Sequence, residues 1–67
     1  MSKYNKLWEF IKSKNDEIVE LGFDSIREIL GFEIDHSFLK YKKELEEYGY
    51  EVKKIYLKDK KIVFRRK

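Results

Sequence analysis

The sequence predicts a small α+β domain ordered helix, strand, helix, helix, strand, strand, with a small antiparallel sheet. Three observations carry this. Apolar residues recur at helical spacing in three stretches, the last two closed by Gly31 and Gly49. Between the first two lies EIVEL, residues 17–21, rich in β-branched residues that alternate. The closing stretch, KKIYLKDKKIVFRRK, places Ile55, Leu57, Ile62 and Phe64 where they match across a turn, which a disordered tail has no reason to do. Sixty-seven residues make one domain, 1–67, near the lower limit for folding alone.

Each element has its own warrant. Tyr4, Leu7, Trp8 and Ile11 fall at i, i+3, i+4 and i+7, so residues 3–13 read as a helix with Phe10 at the edge of the stripe and Ser2 as candidate N-cap. SKND breaks it. Strand 17–21 follows, with Val19, Leu21 and Phe23 on one alternating face. In the second helix, 23–30, Phe23, Ile26, Ile29 and Leu30 share a face, and Gly31 stands where a left-handed residue belongs. Gly22 or Asp24 is its cap, or Ser25 with Glu28 forms a capping box. Asp35 is the natural N-cap of a third helix, 36–48, with Phe38, Tyr41, Leu45 and Tyr48 facing inward. Its other face carries His36, Leu39, Lys40, Lys43 and Glu47.

The last two strands, about 50–57 and 61–66, form a hairpin turning at Asp59–Lys60 or through a four-residue loop, 58–61. Either way Leu57 faces Ile62 and Ile55 faces Phe64, while Tyr56 faces Val63 on the outer side. Tyr50 and Val52 are out of phase with Ile55 and Leu57, which predicts a bulge near Lys53–Lys54. The expected core is Leu7, Trp8, Ile11, Leu21, Phe23, Ile26, Leu30, Phe38, Leu45, Ile55, Leu57 and Phe64. The last strand, 61–66, offers an edge to a second copy, guarded by its Lys and Arg residues.

Composition narrows the function. There is no Cys, hence no disulfide or thiolate metal site, which fits a reducing cytoplasm. No apolar run is long enough to span a bilayer, and no signal-peptide core follows Met1. Residues 1–50 hold eight basic and eleven acidic side chains, a balance of −3; residues 51–67 hold eight and two, a balance of +6. Such polarity points to an anionic partner at one end. With one His, no Gly-rich phosphate loop and no nucleophile motif, catalysis, a cofactor and a bound metal are not expected.

The run FDSIREILGFEIDHSFLKYKKELEEYGYEVKKIYLKDKKIVFRRK resembles winged helix-turn-helix regulators, a resemblance covering roughly residues 16–66: a second helix ending in Leu-Gly, a short turn, a third helix leading into LEEYGY, then a wing with a charged tip. That resemblance implies duplex DNA binding, with the third helix in the major groove and the wing on the backbone or minor groove. By position it puts His36, Ser37, Leu39, Lys40 and Lys43 at the DNA, with Lys58, Lys60, Lys61, Arg65 and Arg66 from the wing. Tyr4, Leu7, EIVELGF, I-x-x-ILG, GYEV and VFRR are also similar to a bacterial family of small proteins of unknown function, whose members carry paired tryptophans in a longer third-helix region that this chain lacks.

Two features of the residues themselves agree with an anionic ligand. In the register above, Lys58 opposes Lys61 and Lys54 opposes Arg65, and phosphates would relieve the repulsion. Lys40, Lys42 and Lys43 lie in the first half of helix 36–48 with Glu44, Glu46 and Glu47 after them, against the helix dipole. Pairing of Lys40, Lys42 and Lys43 with Glu44, Glu46 and Glu47 at i, i+4 explains the same pattern without a ligand. The expectation is a small transcriptional regulator acting on duplex DNA as a monomer or weak homodimer. The alternative is a protein-interaction domain of the same fold whose basic wing meets an acidic protein surface. The exposed third-helix face is short of the Arg, Asn and Gln that read bases.

Overall fold

The apolar stripe of the first stretch folds as α1, Asn5–Lys14, burying Leu7, Trp8 and Ile11. The computed structural model describes residues 3–67, so the candidate cap Ser2 lies outside the described residues. Tyr4 holds the N-cap position; its carbonyl accepts from the amides of Leu7 and Trp8, at 3.0 and 3.1 Å. Asn15 ends the helix in the left-handed conformation at φ 53°. β1, Ile18–Gly22, runs directly into α2, Phe23–Leu30. Gly22 is the cap of α2, so Ser25 and Glu28 sit inside the helix rather than forming a capping box. Gly31 closes α2 at φ 85°, where any Cβ would be strained.

The expected single helix over 36–48 is two pieces. α3 is only Ser37–Tyr41, and a 3₁₀ segment, Lys42–Tyr48, continues it to left-handed Gly49. With three residues per turn, Lys42, Leu45 and Tyr48 align in one row, which keeps Leu45 in the core. The tighter winding disturbs the i, i+4 spacing of the expected Lys–Glu pairs. Glu44 accepts from the Trp8 indole at 3.1 Å, and Glu46 pairs with Lys67 at 2.9 Å.

β2, Tyr50–Tyr56, and β3, Lys61–Arg66, form the hairpin. β3 pairs antiparallel with β1 as well, giving the strand order β1-β3-β2. The last strand is therefore the centre of the sheet and not an edge for a second copy; β1 and β2 are the edges. The register also differs from expectation. Ile55 lies opposite Ile62, Tyr56 opposite Lys61, Lys54 opposite Val63 and Glu51 opposite Arg65, with the bulge between Val52 and Lys54. Near the turn this is a slip of two residues, which keeps each strand side chain on its expected face but changes its neighbours. The true register removes the like-charge pairs: Arg65 binds Glu51 at 2.5 Å, and the Lys61 amine lies 5.3 Å from the Tyr56 ring. Leu57 falls in the turn Leu57–Lys60, closed by the Lys60 amide donating to the Leu57 carbonyl at 3.3 Å.

The helices cover one face of the sheet. Tyr4, Trp8, Phe38, Leu45, Ile62 and Phe64 anchor the core, joined by Val19, Leu21, Ile26, Leu30 and Tyr50. Phe23 and Ile55 are half-buried, and Leu57, expected inside, is 75% exposed. Val63 is buried on the opposite face, between Glu20 and Lys54, whose aliphatic stems can cover it. Among the described residues no helix is long and apolar enough to cross a membrane.

Leu45 and Leu57 make a paired stability test. Leu45→Ala should cost about 2–5 kcal/mol in urea unfolding, and Leu57→Ala should stay within about 0.5 kcal/mol of the parent. A large loss from Leu57→Ala would mean that the slipped register is wrong.

Candidate functional site

Where α3 approaches the hairpin turn, the chain leaves an apolar groove of about 500 Å³. Phe23 at the start of α2, Ile34 from the loop, buried Phe38 and half-buried Ile55 form its base. Leu39 of α3 and Leu57 of the turn rise from it, 53% and 75% exposed. Asp35 and His36 also line it. Two sets of bonds hold its sides. The Phe23 amide, an unsatisfied donor at the start of α2, donates to the Lys60 carbonyl at 2.8 Å and ties the turn to that helix. Lys60 adopts φ 53° to present that carbonyl.

On the other side, Asp35 organises the entry to α3. Its Oδ1 accepts from the Ser37 amide at 2.9 Å and the Ser37 hydroxyl at 2.5 Å, and its Oδ2 meets Lys3 at 3.3 Å. This is the capping role expected of Asp35, exercised one residue ahead of the assigned cap, His36. The Tyr4 hydroxyl lies 2.7 Å from the Ser37 hydroxyl, linking the cap to the core. The Ser37 hydroxyl, then the Ser37 amide, then Lys3 hold the Asp35 carboxyl well below its usual 3.8.

The ten positions assigned from sequence do not share one surface. His36, Leu39, Lys58 and Lys60 gather at the groove and the turn, with Lys40 next on α3. Ser37 is spent on Asp35 and Tyr4. Lys43 is exposed in the 3₁₀ segment, not in the first half of a long helix, so the dipole argument loses its basis. Lys61 lies on the outer face of the sheet, paired with Glu20 at 3.4 Å, and Arg65 is bound to Glu51 on that face. Arg66 sits at the far end of β3, roughly 16 Å along the strand from Lys61, donating to the Asn15 carbonyl. Lys54 and Lys61 both approach the Tyr56 ring on the outer face, at 5.1 and 5.3 Å.

A smaller hollow of about 220 Å³ adjoins the groove, lined by Phe23, Asp24, Arg27, Glu33 and Ile34. There Arg27 already meets Asp24 and Glu33, at 3.7 and 3.6 Å. Among the described residues no group of three or more His, Cys, Asp or Glu side chains is placed to hold a metal. The groove was missed in the sequence because the assumed register put Leu57 in the core; Leu39, an aliphatic residue on the polar face of its helix, was the available signal. Comparison with protein-family models, curated proteins and solved structures finds no match to this chain.

The pH dependence of the cap has a definite sign. Folding lowers the Asp35 pKa, so its contribution is present above 3.8 and is lost as pH falls below that value. Asp35→Asn should lower the urea midpoint near neutral pH, and the gap from the parent should begin to narrow below about pH 4 and go on narrowing down to about pH 2. A gap that does not change with pH would remove Asp35 from this role.

Proposed function

We propose that the chain is a non-enzymatic protein-interaction domain on a winged-helix-like frame, working in a reducing cytoplasm and docking its partner in the groove between α3 and the hairpin turn. The helix–strand–helix–helix–strand–strand order and the strand order β1-β3-β2 support the frame. The observation that carries the function is the pair of exposed leucines, Leu39 and Leu57, above a half-buried apolar base. Leu39 and Leu57, two of the three exposed large apolar side chains among the described residues, flank this one groove, while the third, Ile18, lies on β1; their convergence marks an interaction surface.

Duplex DNA is the second reading, favoured by Lys40, Lys43, Lys58 and Lys60, which are exposed and make no ion pair among the described residues. It stands second for two reasons. The cations that argued for phosphate do not oppose one another in the observed register, and one of each pair, Lys61 and Arg65, is matched by Glu20 and Glu51. The α-helical part of the recognition element is five residues long, and its exposed apolar residue would face the bases.

A photo-crosslinking residue at position 39 separates the readings inside cells. Protein docking predicts discrete protein adducts that disappear when Leu57→Ser is added, and none from the same probe at position 54 on the outer face. DNA binding predicts nucleic-acid adducts instead. It also predicts duplex binding that weakens with salt by about −0.9 log unit per phosphate, with a slope flattened by up to about 2 in Lys58→Ala/Lys60→Ala. That second pattern, without protein adducts, would overturn the interaction reading.

A further inference from the structure

We draw no further inference here: the strongest candidate, the Lys54–Tyr56–Lys61 cluster on the outer face of the sheet, has both amines over the Tyr56 ring and Lys61 paired with Glu20, so nothing in the structure shows what covers it.

Discussion

Tyr4 holds the arrangement that everything around the groove depends on. Its ring meets Trp8, Phe32, Phe38 and Tyr41 at centroid distances of 5.8, 5.9, 5.6 and 6.0 Å. Its hydroxyl reaches the Ser37 hydroxyl, so a fully buried phenol keeps a polar partner. One side chain at the start of α1 thereby clamps the loop after α2 and both Phe38 and Tyr41 of α3. Successive helical residues point about 100° apart. With Phe38 turned in towards Tyr4 and Trp8, Leu39 must turn out. The groove is thus a consequence of how the aromatic cluster orients a short helix, and α3 needs no intrinsic stability of its own.

The opposite side of the groove is set by charge and backbone geometry together. Opposed lysines were the reason to suspect a phosphate ligand, yet the same repulsion is a reason for the hairpin to slip. Placing Glu51 across from Arg65, and an aromatic ring across from Lys61, replaces repulsive neighbours with attractive ones. The slip moves Leu57 out of the strand and into the turn. The Phe23–Lys60 hydrogen bond then holds that turn against α2.

Most of the fold was legible in the sequence, and the exceptions share a cause. The bounds of α1, β1 and α2 lie within one or two residues of expectation, because spacing and Gly31 mark them directly. The bulge was legible from the phase change between Val52 and Ile55. Registers two residues apart put the same residues inside, so alternation cannot choose between them, and Asp59–Lys60 lacks the glycine that would have pinned the turn. Spacings of three and four at Phe38, Tyr41, Leu45 and Tyr48 likewise fit an α-helix and its tighter continuation alike. Both ambiguities fall on the elements that form the groove. The residue types of the site were visible, but their assembly was not.

The central place of β3 has a consequence for how the chain is made. β1 and β2 each find their hydrogen-bonding partner only in β3, although β1 is some forty residues upstream. During synthesis α1, β1 and α2 leave the ribosome well before residues 61–66 exist. Until then Val19 and Leu21 have no strand to align them, and Tyr50 and Val52 wait beside an unfilled gap. The sheet and the core beneath it therefore close in one late, non-local step after Arg66 has emerged. A nascent chain stalled before that point would leave the apolar residues of β1 and β2 without the strand that aligns them.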